Sequence, residues 1–289
     1  MVTSTTAAVR LVSIHGGHSG AFCRHAQDDL AAFVAAYVRQ GFSWVGLTEH
    51  MPPASDRFLF PDERVAGLTV ADLHRSFHRY METARHLQAA YRGRLELLVG
   101  FETEWTTGSA DLVRQLRSRY RPDYIVGSVH HVDDLNFDYD AETYQAAARA
   151  AGSLNELYCR YFDQQYAMIT MLRPEVVGHF DLIRIYDPDY RARLQVPEIW
   201  TRLRHNLETV RALDLILDFN VRALAKGAAE PYISAPILRL AVDLGIALVP
   251  GDDSHAAAGA GLHLEAGIEV LARAGASLDW RRPGPRRPA

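Results

Sequence analysis

Ten residues whose side chains are of types that bind metal ions fall in short, separated motifs along this chain. The first is 10–25, where an apolar run ends at His15 and is followed within ten residues by His18 and His25. Further on come Glu49-His50, Glu102, His130, His179, and Asp253 with His255. Neutral imidazoles are common ligands of transition metals, and a carboxylate can offer its two oxygens to two ions. On a regular strand, positions 15 and 18 would face opposite ways. Gly16 and Gly17 permit the positive φ or bulge that brings the two rings to one side. For that stretch alone, a polar glycine-rich loop with incidental histidines is the competing explanation.

The elements that must position these residues are legible as an alternation. Short apolar runs at 10–15, 43–48, 95–101, 124–129, 175–178, 214–219 and 246–250 read as strands. Amphipathic stretches at 28–40, 70–91, 110–120, 154–172, 197–212 and 235–244 read as helices. Seven βα units with no Pro/Gly/Ser linker argue for one α/β domain over 1–280. A TIM-like barrel fits, with an open doubly wound sheet as the alternative. After six of the seven strands stands a residue able to bind metal; after the other stands Asn220. In parallel α/β barrels the C-terminal strand ends form the active-site face. Incidental histidines would scatter over both ends of the strands, so a metal site on that rim is the better reading.

Bulk properties narrow the class. The net charge of −4 gives no electrostatic reason to expect nucleic acid as a partner. No apolar run reaches the ~18 residues of a membrane span, and 1–8 lacks the pattern of a signal peptide. Two cysteines, Cys23 and Cys159, make no disulfide scaffold and fit a reduced, cytoplasmic setting. The Pro- and Arg-rich segment 281–289 reads as a disordered tail. Nothing in the sequence sets the oligomeric state.

Taken in order, His-Gly-Gly-His, Cys-Arg-His-Ala, Thr-Glu-His, Gly-Phe-Glu, Gly-Ser-Val-His, Gly-His-Phe-Asp-Leu and Gly-Asp-Asp-Ser-His resemble the PHP (polymerase and histidinol phosphatase) superfamily. The likeness runs over about residues 10–270 and is nearest to the histidinol-phosphatase branch. It implies a distorted seven-stranded (βα)7 barrel with two or three divalent ions (zinc, manganese or iron) at the C-terminal strand ends. By the same resemblance, His15 and His18 share a first ion with Glu102 and Asp253. Glu102 bridges to a second ion held by His130 and His179, and His25, His50 and His255 hold a third. The departure is at the first motif, where the family shows His-x-His. Glu49 is a candidate to orient an imidazole.

The activity so implied is hydrolysis of a phosphomonoester, L-histidinol phosphate, by a metal-bridged hydroxide, with Asp253, Glu102 and His255 at the reacting centre. Arg184, Arg222 and Lys226, the chain's one lysine, follow strand ends and are candidates to hold the phosphate. The long 51–69 segment is a candidate substrate wall, and Asp56 or Glu104 could meet a cationic substrate. Cys23 reads as a structural or metal-adjacent thiol. The alternatives are a PHP-type phosphoesterase for nucleotide or sugar phosphates, an amidohydrolase-type deacylase, and a barrel with purely structural metals. The deacylase commonly uses a lysine midway along the chain, and none stands there. His74, His78 and His86 lie among arginines and read as a solvated helix face.

Overall fold

A computed structural model describes residues 9–284. Its strands are β1 (Val12–Ser13), β2 (Trp44–Leu47), β3 (Glu96–Thr103), β4 (Tyr124–Gly127), β5 (His131–Val132), β6 (Leu135–Asn136), β7 (Val176–Val177), β8 (Ile216–Asn220) and β9 (Ala247–Gly251). Seven of them form one sheet in the order β1-β2-β3-β4-β7-β8-β9, with every neighbouring pair parallel. The sheet curls back on itself. Ile14 N–H donates to Pro250 O (2.9 Å), and past the strand ends Asp253 N–H donates to His15 O (2.8 Å) and His18 N–H to Ser254 O (2.7 Å). A TIM-like barrel results, nearly closed along a seam between the first and last strands. Its strands read as continuous apolar runs because side chains on both faces are covered.

The helices are α1 (Leu30–Arg39), α2 (Pro61–Val65), α3 (Val70–Ala90), α4 (Ser109–Tyr120), α5 (Ala141–Ala151), α6 (Leu154–Leu172), α7 (Tyr190–Arg193), α8 (Pro197–Ala212), α9 (Arg222–Ala225), α10 (Ala235–Asp243) and α11 (Leu264–Arg273). Local chemistry fixes their starts: Asp29 accepts from Ala32 N–H before α1, and Thr69 and Asp72 form a capping box at α3. Their apolar stripes, such as Phe33, Val34 and Tyr37 on α1 and Phe77, Tyr80 and Met81 on α3, are buried. Buried hydroxyls meet backbone carbonyls: Tyr124 Oη donates to Ile14 O (2.5 Å), and Tyr80 Oη lies 2.7 Å from both Leu47 O and Gly100 O.

Each expected strand and helix has its counterpart, with boundaries shifted by a few residues. The β5–β6 hairpin was not expected. Each of its strands has two residues, too few to show alternation, and its turn places Asp133 and Asp134 at φ +52° and +65°. Two left-handed central residues are what a type I′ hairpin turn requires. The tail expected over 281–289 begins in an ordered way: Trp280 Nε1 donates to Arg10 O (2.7 Å), and Arg281 and Arg282 pair with Asp214 (2.6 Å) and Glu96 (2.7 Å). Acidic groups at the N-terminal ends of β8 and β3 hold those arginines; the remainder of that expectation, 285–289, lies outside the described residues. No helix among the described residues is long and apolar enough to cross a membrane.

Candidate metal centre

At the C-terminal end of β3, the fully desolvated carboxylate of Glu102 sits among five imidazoles. Its Oε2 is 2.9 Å from His50 Nδ1, 3.6 Å from His15 Nε2 and 3.9 Å from His18 Nε2. Its Oε1 is 2.9 Å from His179 Nε2 and 3.4 Å from His130 Nε2. Asp253 Oδ1 lies 3.2 Å from His18 Nε2 on the same floor. Donor atoms within 4.8 Å of one another group as His15–His18–Glu102, His15–His179–Asp253, His18–Asp253–His255 and Glu102–His130–His179. A fifth group, Cys23–His25–His50–His255, lies beside them. All nine candidate ligands are thus brought to one rim.

Whether these residues suit divalent ions is decided by which nitrogens are left over. His15 Nδ1 is 2.9 Å from Asp218 Oδ2, and His18 Nδ1 is 3.1 Å from Glu49 Oε1, whose other oxygen accepts from Ser19 N–H (2.9 Å). Each carboxylate accepts from Nδ1, so an arriving ion that displaces the Nε2 proton meets an inward-facing lone pair. Both Nε2 atoms are buried and have no hydrogen-bond partner. Inward-facing imidazole lone pairs, backed by carboxylates, are the donor set a metal ion takes. Glu49 therefore orients His18, not its neighbour His50.

Asp218 was missed in the sequence, and Asn220 was noted only as a strand-end residue, although both lie on β8 two residues apart and so share one face. Asn220 Nδ2 donates to Asp218 Oδ2 (3.0 Å) and Asp253 Oδ2 (3.2 Å), which locks Asp253 in place. Asp218→Asn should lower metal affinity about 10–100-fold, the usual cost of losing such an outer partner. Titration of metal-stripped protein with zinc would measure it, and an unchanged affinity would remove Asp218 from the site.

The His15–His18 spacing is achieved differently from the expectation. Neither Gly16 nor Gly17 has positive φ. They are glycines because the chain is crowded there: a Cβ on Gly16 would collide with Gly46 O, and one on Gly17 with the Phe33 ring. The backbone strain sits instead at two candidate ligands, His179 (φ +20°) and Asp253 (φ +44°).

The centre demands positive charge. Burial lowers the His15 pKa, but Glu102, Asp253 and Asp218 outweigh it and hold it well above the ordinary value. His18 is likewise raised to about 9 despite burial, through Asp253 and Glu49. Burial opposes ionisation of Glu102 and Asp253, yet the surrounding imidazoles keep both well below the usual carboxylate range. On the outer side, burial and then His50 and His18 push His25 down to about 4, and burial and then His18 push His255 well down. Those two rings are neutral, the form that binds metal. Burial pushes the Cys23 thiol up, so it is no free thiolate nucleophile.

A cleft of about 260 Å³ opens over the centre, lined among others by Glu102, His130, Asp253, His255, Arg222 and Lys226. Arg184 does not line it, which corrects its assignment to phosphate. Its guanidinium turns into the 3-10 turn Leu182–Arg184, where Nε meets Asp181 Oδ2 (3.1 Å) and Nη2 donates to Glu230 O (3.0 Å) and Pro231 O (2.6 Å). Arg184→Met would leave Asp181, 0% exposed, without its cation and should cost about 3–5 kcal/mol. Denaturant unfolding would measure this; a raised KM with unaltered stability would return Arg184 to the substrate. Asp56 is also spent elsewhere, accepting from Val70 N–H (2.7 Å). Glu104 faces the cleft and is held by His130 (2.8 Å) and His131 (3.3 Å). Phe60, from the 51–69 segment, lines the cleft as a wall residue.

A parallel α/β barrel whose strand ends gather histidines around one buried carboxylate defines a barrel protein with a candidate metal centre. The family model of the PHP domain matches residues 16–222, and the chain belongs to that family. It is 34% identical to the "Probable histidinol-phosphatase" of Schizosaccharomyces pombe, over 95% of this chain and 90% of that protein. Two crystal structures share the fold. HisK from Listeria monocytogenes has a TM-score of 0.78 and 24% identity, covering 89% of this chain and 99% of that one. The histidinol phosphate phosphatase of Lactococcus lactis, complexed with zinc, L-histidinol and phosphate, has a TM-score of 0.71 and 18% identity, covering 92% and 94%.

Proposed function

We propose that this chain is a metal-dependent phosphomonoesterase that hydrolyses L-histidinol phosphate to L-histidinol and phosphate. The observation that carries the metal dependence is the contact of Glu102 with five imidazoles, all within 3.9 Å. The substrate is supported by the name of the Schizosaccharomyces pombe relative and by the molecules bound in the Lactococcus lactis enzyme. That neighbour also supports zinc among the candidates zinc, manganese and iron; the ligand groups leave room for two or three ions per chain. A single domain over 1–280 and a cytoplasmic setting fit the continuous core and the two free thiols.

The geometry supports a role for each residue. Divalent ions bound here would acidify a water toward neutral pH and steady the charge of the phosphoryl group. Glu102, with both oxygens desolvated, spans the His15–His18 and His130–His179 groups. Asp253, its side chain 13% exposed, is among the candidate ligands open to the cleft, and as a carboxylate it can take the proton of the attacking water. His255 Nδ1 is 3.0 Å from Asp253 O, which keeps the Nε2 lone pair available. Arg222, at the start of α9, and Lys226, at its C-terminal cap, present positive charge to the phosphate.

The test is phosphate release from L-histidinol phosphate against a panel of nucleotide and sugar phosphates, using protein purified without chelator. Preference for L-histidinol phosphate by orders of magnitude is the expected result. A preference for another ester would overturn the substrate while retaining the metal chemistry.

A further inference from the structure

The outermost ligand group contains a donor that the expected triad of His25, His50 and His255 lacks. Cys23 Sγ lies 3.1 Å from His25 Nε2, and one donor atom from each of the four residues falls within 4.8 Å of the others. Four ligands around one tetrahedral zinc, at ≈ 2.3 Å for sulfur and ≈ 2.0–2.1 Å for nitrogen, stand roughly 3.3–3.6 Å apart. Small rotations of these side chains would therefore gather all four donors on one ion.

The backbone holds the cysteine there. Cys23 N–H donates to Ser19 O (2.8 Å), Ala26 N–H to Cys23 O (3.3 Å), and Gln27 N–H to His255 O (2.7 Å), so the 19–27 loop is clamped to the residue that contributes the fourth ligand. No cation competes for the sulfur; among described residues its hydrogen-bond partner is His25. It is buried, and neither cysteine forms a disulfide.

We propose that Cys23 is a thiolate ligand of the third ion, completing a closed shell of one cysteine and three histidines, its proton passing to solvent as the sulfur–metal bond forms. The inference rests on the metal-centre reading above. Two consequences follow. A thiolate selects zinc over manganese at this position, whatever the other positions hold. An ion with four protein ligands has no open coordination place, so it secures the loop and leaves the chemistry to the groups around Glu102.

The test uses the full chain stripped of metal and refilled with cobalt(II), alongside Cys23→Ser. Wild type should show thiolate-to-cobalt charge-transfer absorption in the near ultraviolet, and Cys23→Ser should lose it. With zinc, Cys23→Ser should hold one ion fewer per chain, or bind the third more than about 100-fold more weakly. That exceeds the 10–100-fold expected if the thiol merely oriented His25 through a hydrogen bond. Wild-type protein that binds its ions without the charge-transfer band overturns this inference alone, whether or not the variant folds. Wild-type protein that binds no ion overturns the metal-centre reading with it.

Discussion

Glu102→Gln is expected to strip the centre of metal and lower kcat by at least about 10³-fold, equivalent to roughly 4 kcal/mol of lost transition-state stabilisation. The substitution preserves shape and removes charge. An amide has one acceptor oxygen, so it cannot serve the His15–His18 and His130–His179 groups together. Its NH2 would face an imidazole nitrogen 2.9 Å away, either His50 Nδ1 or His179 Nε2. The charge that keeps His15 and His130 raised despite burial would also be reduced. Elemental analysis and steady-state kinetics on the same sample would check both effects. A full complement of ions with kcat within tenfold of wild type would mean that Glu102 is no ligand.

Removal of the ions is expected to destabilise the protein as well as silence it. Ions present at about 1,000 times their Kd stabilise a native site by ≈ 4.1 kcal/mol, provided they do not bind the unfolded chain. At about 2.1 cal/mol/K of unfolding entropy per residue, each kcal/mol moves the Tm of a 289-residue chain by roughly 1.6 °C, so emptying one such site should lower it by about 7 °C. The lost stability has a structural source: stripped of metal, the floor confines carboxylates and imidazoles away from water. Calorimetry with and without chelator, followed by refilling with zinc, would show the drop and its reversal. A chelated, metal-free protein with unaltered Tm and full turnover would contradict the central assignment.

The strand-end reading worked because βα alternation leaves little choice about which end of a strand carries the next loop. His130 and His179 could be placed on one rim without knowing any side-chain direction. Direction is where the sequence ran out. Arg184 follows His179 by five residues, as a rim residue should, but its turn aims it at Asp181 and two carbonyls. Asp218 shows the opposite error. It stands inside an apolar strand before the rim, yet its spacing to Asn220 held the signal that both face inward. The glycine pair in the first motif was read as conformational freedom, whereas its role is steric. Spacing alone does not separate those two uses of glycine.

The seam joining β1 to β9 has a kinetic consequence. It unites residues near opposite ends of the sequence, as in the Ser13–Asp252 hydrogen bond, which spans 239 positions (2.5 Å). Such distant pairings carry a large chain-closure cost and tend to form late. Three candidate ligands follow β1 and two follow β9, so ions held between them would act as rivets across the last joint to close. Rivets set after the rate-limiting step leave the rate of refolding nearly untouched. They would slow unfolding, because a metal-bound joint could not open without first giving up its ion.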